Sequence, residues 1–262
     1  MKSSIIVPVQ DSTPFSPFFP EKGVEVNLAK AAKAGYDGVE LAITDPGRVD
    51  AFEIKQLLNR YNLAMPAITT GQAYGIEGLS LTASNEEVRK KAIRRIKGHI
   101  GLAGELGGVV IIGLIRGKEK GQEARKFLME ALIACADFEA KVRLVLEPLN
   151  RYETELINTV DEALEILGQI GMENIGILFD TFHTNIEEVS IGESIQKANG
   201  HLFHVHIADS NRWAPGYGHI DFKEVSRALS RIKYQGFGSL ESLSKPNPES
   251  CLQKSADYIK KL

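Results

Sequence analysis

The sequence has little cysteine, no long apolar run and no marked excess of either charge. Cys135 and Cys251 are its only cysteines in 262 residues, too few for a disulfide framework. Cys135 falls on the apolar face of a helical stretch, where a buried free thiol is the ordinary outcome. A reducing cytoplasm is the expected location. The apolar segment after Met1-Lys2-Ser3-Ser4 ends at Gln10 and Asp11, and the later run near 109–115 contains a glycine and stops far short of a span. Neither a membrane helix nor a secretion signal is expected. With 31 Lys and Arg against 34 Asp and Glu, the formal charge is -3, which gives no basic field for nucleic acid. A small neutral or anionic ligand is expected instead.

What is present fits one architecture. Hydrophobic residues at 43% and charged residues at 25% are the proportions of a soluble globular chain, and the length matches an eight-unit α/β barrel of about 250 residues. Short β-branched runs near 4–9, 37–42, 63–69, 108–113, 142–148, 175–180, 202–208 and 236–241 alternate with helical patterns. No linker composition interrupts them, so residues 1–262 are read as a single (β/α)8 TIM-barrel domain. Ser84 with Glu87, and Thr159 with Glu162, have capping-box spacing. After Ser84, Val88, Ala92, Ile96, Ile100 and Ala103 recur at helical spacing, while Arg89, Lys90, Lys91, Arg94, Arg95 and Lys97 take the other faces. Without interleaved aromatics this basic run is a solvated helix face, not a nucleic-acid patch. One loop stands apart: residues 12–21, STPFSPFFPE, are too stiff and apolar for filler and are expected at the active-site mouth or in a subunit contact.

Functional groups of such barrels come from strand C-terminal ends and the loops beyond them. Glu147, Asp180, His206 and Glu241 lie at the ends of the last four strands, each among apolar neighbours. A single strand-end carboxylate is ordinarily a loop cap or ion-pair partner. Three carboxylates and one imidazole on consecutive strands would repel one another without a cation, and an oxygen-rich shell with one nitrogen suits Mn²⁺, Mg²⁺ or Co²⁺ better than structural zinc. Glu153, His183 and Arg212 are expected on loops above that point, against ordinary readings as surface histidine and solvated charge. His204 lies deeper and reads as a hydrogen-bonded core histidine, His99 and His201 as structural, and His219 receives no role. Arg116 and Lys118 read as solvated loop charges in preference to a carboxylate-holding pair.

The segments LEPLNRYETELINTVDEALEIL (146–167), FDTFHTNIEE (179–188), HVHIADSNRWAPGYGHIDF (204–222) and SLES (239–242) resemble the ketose 3-epimerases of the D-tagatose and D-allulose type, within the xylose isomerase-like superfamily. The resemblance implies that Glu147, Asp180, His206 and Glu241 ligate a divalent metal, Mn²⁺ first with Co²⁺ or Mg²⁺ as substitutes. It makes Glu147 and Glu241 the catalytic acid/base pair and Glu153, His183 and Arg212 substrate contacts, in a homodimer or homotetramer. TGQAYG (70–75) and VVIIGLIRG (109–117) are most similar to epimerases of inositol catabolism that interconvert 5-keto-L-gluconate and D-tagaturonate. Trp213 stands where neutral-ketose enzymes are expected to carry glycine, and loop 12–21 has no counterpart; both are expected to bear on the substrate wall.

The chemistry agrees with the resemblance. Inverting a stereocentre beside a ketone removes a proton from one face and returns one to the other, so two carboxylates must flank the substrate while a metal stabilises the cis-enediolate. An aldose–ketose isomerase could use the same residues. A phosphodiester hydrolase needs histidines from early strands, whereas the first histidine here is His99 on a helix, and a non-catalytic sugar-binding protein would leave a complete acid/base set unused.

Overall fold

A computed structural model describes residues 1–14, 16–19 and 23–262. Eight parallel strands close into a barrel in sequence order: β1 (Lys2–Pro8), β2 (Gly38–Ala42), β3 (Ala67–Thr69), β4 (Val109–Ile112), β5 (Arg143–Leu146), β6 (Ile175–Asp180), β7 (Leu202–Ile207) and β8 (Phe237–Leu240). The ring is sealed where β8 pairs with β1, from Lys2↔Phe237 to Ile5↔Leu240. All eight expected strands are present. The (β/α)8 architecture follows from buried β-branched strands separated by helices that need an apolar face to lie on.

The helices begin where polar caps satisfy their free amides. Thr159 and Glu162 form the expected capping box for the helix Val160–Ile170. The box expected at Ser84 is not formed: Asn85 caps Glu86–Leu106 by accepting from Glu87 N, and asparagine serves at least as well there. That helix buries Ala92, Ile96, Ile100 and Ala103 as expected, together with His99.

Strand alternation divides the interior in two. Val39, Leu41, Val110 and Ile112 belong to the large outer core between sheet and helices, whereas Ala67, Val109, Ile111, Val145 and Leu178 form a separate cluster inside the barrel. The rest of the lumen is polar. Ser4 pairs with Gly38 and Ser239, Ile6 with Glu40, and His206 with Ser239 and Asp180, so Ser4, Glu40, His204, His206 and Ser239 share the inward side, all buried. Polar groups inside a barrel must find partners or a ligand, and here they lie beneath the site.

Part of loop 12–21 behaves as expected. Ser12, Thr13 and Pro14 line the cavity at the strand C-terminal ends, while Phe18 and Phe19 are buried in the outer core and a single 3-10 turn spans Ser16–Phe18. Phe15, Pro20 and Glu21 lie outside the described residues. Among the described residues no helix is long and apolar enough to cross a membrane.

Candidate active site

Glu147 follows β5, Asp180 ends β6, His206 is the penultimate residue of β7 and Glu241 follows β8. Their ligand atoms all lie within 4.8 Å of one another, and all four residues are buried. His206 Nδ1 is 3.6 Å from Glu147 Oε1, 3.6 Å from Glu241 Oε2 and 3.9 Å from Asp180 Oδ2. These separations are too long for hydrogen bonds. Glu147 Oε1, Asp180 Oδ2 and His206 Nδ1 are buried without a hydrogen-bond partner among the described residues. Three orphaned polar atoms facing one point are what a bound cation would satisfy, and the donor set suits a hard divalent ion.

Without a cation the cluster is electrostatically divided. Burial, then the neighbouring Glu241 charge, pushes Asp180 well above the ordinary carboxylate range, and the same two causes raise Glu147. Burial would also raise Glu241, but the charges of His206 and Arg212 overcome it and hold that carboxyl below its usual range. His206 is raised well above an ordinary imidazole, because Glu40 and Glu241 outweigh its desolvation.

Glu40 is the residue that reasoning from strand ends does not reach. It is fully buried at the middle of β2 and accepts from His204 Nε2 at 2.8 Å, from His206 Nε2 at 3.0 Å and from the Thr69 hydroxyl. A carboxylate only accepts, so His206 carries a proton on Nε2 and turns Nδ1 toward the acidic cluster. His204 is the hydrogen-bonded core histidine expected. The available signal was a carboxylate between Val39 and Leu41 in a strand with neighbours on both sides, where an unpaired charge cannot remain.

The expected loop residues converge on the same cavity, with one correction. His183 is not on a loop but in the first turn of the helix Thr181–Glu187, which Asp180 caps. Asp180 is thereby split: Oδ1 accepts from Phe182 N at 2.6 Å, leaving Oδ2 for the centre. His183 Nδ1 accepts from Asn150 N at 3.2 Å, so Nε2 carries the proton as a donor with no partner among the described residues, 3.8 Å from Asp180 Oδ2. Burial, reinforced by the Arg212 charge, pulls this imidazole down to about 3, and it stays neutral. Arg212 donates to Glu153 Oε1 at 2.8 Å and Glu241 Oε2 at 3.0 Å and lies over the Phe182 ring.

Arg212 occupies left-handed backbone, φ 59°, held from both sides. Its N–H donates to Asp209 O at 2.7 Å and its carbonyl accepts from Leu243 N at 2.7 Å. The buried Asp209 carboxylate accepts from the amides of Ser210, Gly216 and Ile220, which folds the loop around the arginine. Trp213, next along, is half-buried and does not line the cavity, so the wall is formed instead by Ser12, Thr13, Pro14, Gln72, Ile76 and Leu114. The reading of Arg116 as solvated is also corrected: it is fully buried, with its carbonyl accepting from the Ser80 and Thr82 hydroxyls, whereas Lys118 is exposed. The cavity has a volume of about 450 Å³, enough for a monosaccharide.

The description "Xylose isomerase-like TIM barrel" matches residues 28–262, and the chain belongs to that family. Its relatives make it an enzyme of the epimerase kind. It is 34% identical over 234 residues to an L-ribulose 3-epimerase of Methylomonas sp. (strain DH-1), covering 85% of this chain and 79% of that protein. It is 30% identical over 243 residues to a ketose 3-epimerase of Arthrobacter globiformis, covering 86% and 80% respectively. The solved structure of D-allulose 3-epimerase from Methylomonas sp. in complex with D-allulose matches with a TM-score of 0.84 at 27% identity, over 100% of this chain and 96% of that one.

Proposed function

We propose that the chain is a divalent-metal-dependent epimerase that inverts the carbon beside the ketone of a keto-sugar acid, interconverting 5-keto-L-gluconate and D-tagaturonate. One observation carries the reaction class: Glu147 and Glu241, from strands on either side of β6 and β7, each place an oxygen 3.6 Å from His206 Nδ1. Two carboxylates held around one centre can serve the two faces of a substrate bound between them. Glu147, Asp180, Glu241 and His206 would hold the cation, which when bound supplies Lewis-acid stabilisation of the negative charge that develops on the ketone and neighbouring hydroxyl oxygens.

The partners of the two carboxylates give them different starting roles. Arg212, bonded to Glu241, favours its ionised form and fits it to remove the proton, while Glu147, on the other side of the centre, would return one. In the reverse direction the roles exchange. Arg212 orients Glu153 and Glu241 together, and the neutral His183 offers Nε2–H to a substrate oxygen. The sugar-acid assignment rests on TGQAYG and VVIIGLIRG; D-tagatose and D-allulose are the neutral alternatives, in line with the relatives.

The test is turnover in D₂O with Mn²⁺ on 5-keto-L-gluconate, D-tagatose, D-fructose and D-allulose. Deuterium is expected at the carbon beside the ketone, fastest with 5-keto-L-gluconate. No deuterium gain with any of the four rejects the reaction class, and transfer confined to the first two carbons would make the chain an aldose–ketose isomerase.

A further inference from the structure

Arg116 ends the short turn Leu114–Arg116 that follows β4, and the residues before it, Gly113 and Leu114, form part of the cavity wall. Its exposure is 0%, and Nε and both Nη atoms have no hydrogen-bond partner among the described residues. A guanidinium has five N–H donors and does not lose its charge near neutrality; burial lowers it only to about 10. Buried charges are ordinarily paired. The acids that act on it through space, Glu147, Glu153 and Glu162, make no bond to it, and Glu153 is already held by Arg212 and Asn150.

The cavity has the complementary mismatch. Glu147, Glu153 and Glu241 line it, and Arg212 is bonded to two of these three. An anionic substrate would meet a wall of surplus negative charge. We propose that Arg116 receives the carboxylate of an anionic keto-sugar and thereby sets the preference of this pocket for sugar acids over neutral ketoses, an inference that rests on the epimerase reading above. The guanidinium sits behind the cavity surface, so the long side chain must change rotamer at the Leu114 wall to pair with the incoming group. A carboxylate matches its fork geometry with two parallel hydrogen bonds. A neutral ketose would leave the guanidinium without a partner.

The experiment compares Arg116→Met and Arg116→Gln with the unaltered Mn²⁺-loaded enzyme on 5-keto-L-gluconate and D-tagatose; either variant that folds gives the answer. The ratio of kcat/KM for the acid to that for the ketose is expected to fall at least about ten-fold, mainly through KM for the acid. The Tm of Arg116→Met is expected to equal or exceed that of the parent, since an unpaired buried charge is replaced by an apolar chain of similar length. An unchanged ratio in an enzyme that prefers the acid overturns the role of Arg116 and leaves the substrate assignment standing. Equal losses on both substrates with a lowered Tm also overturn it, because they mark a structural guanidinium. A parent enzyme that turns over D-tagatose and ignores 5-keto-L-gluconate removes the sugar-acid assignment, and this proposal with it.

Discussion

Glu40 Oε2 lies 3.0 Å from His206 Nε2 inside the barrel, on the side of the imidazole opposite the acidic cluster. This contact sets which nitrogen of His206 is free. Glu40→Gln can still touch both histidines, but it no longer demands a proton on each Nε2 and removes a charge that favours the metal-facing geometry. Affinity for Mn²⁺ is expected to fall about 10- to 100-fold, read by calorimetry on metal-free protein with circular dichroism unchanged. Binding as tight as in the parent would show that Glu40 does not orient His206.

Gly113 is a position where one methyl group should matter. A Cβ there would lie 2.5 Å from Glu147 Oε2. Gly113→Ala is therefore expected to displace the carboxylate. Loss of turnover should exceed about ten-fold in protein that keeps the circular dichroism of the parent, measured by steady-state kinetics. Normal kinetics would mean that Glu147 can move aside and still work.

Glu147→Gln and Glu241→Gln each remove one side of the proposed proton exchange. Each is expected to lower kcat by about 10²- to 10⁴-fold. Glu241→Gln should also weaken the ion pair that Arg212 makes at this position. Near-normal turnover by either variant contradicts the two-carboxylate scheme.

The pH dependence of metal binding follows from the raised carboxyls. Asp180 and Glu147 ionise above the ordinary range in the metal-free protein, so protons compete with a cation for both. As folded-state values raised above the unfolded ones, they add stability at low pH that is lost as pH rises through them. A cation reverses that loss by pairing the ionised forms. The rise in Tm on adding Mn²⁺ is expected to be small near pH 5 and to grow toward pH 8, with proton release detectable by calorimetry in buffers of different ionisation enthalpy. A Tm increment independent of pH would contradict the assignment of those two groups.

The barrel and the strand-end cluster were legible because both follow local rules: β-branched runs between helical patterns, and charges placed where apolar strands end. Three features were not. Ser84 and Asn85 are adjacent and both good caps, and it is Asn85 that accepts from Glu87 N. Glu40 sits in mid-strand, where its meaning depends on His204 and His206 more than 160 residues away. Arg116, between Ile115 and Gly117-Lys118, looks like loop charge, yet it is fully buried and its carbonyl is held by Ser80 and Thr82 more than 30 residues away. For Glu40 the deciding contacts are tertiary, and the sequence offers only the oddity of a carboxylate between Val39 and Leu41.

At Arg212, stability and chemistry ask for the same side chain on a backbone that would otherwise favour glycine. An arginine there costs roughly 1–2 kcal/mol relative to a residue free to adopt positive φ, a cost borne by Asp209 and Leu243 on either side. Arg212→Gly would relax the loop, yet it would strip Glu241 and Glu153 of their shared cation, and leaving a buried carboxylate unpaired costs about 3–5 kcal/mol, more than the backbone gains. Tm is expected to fall together with turnover. A higher Tm for Arg212→Gly, read by differential scanning fluorimetry, would mean that the backbone cost outweighs the ion pairs.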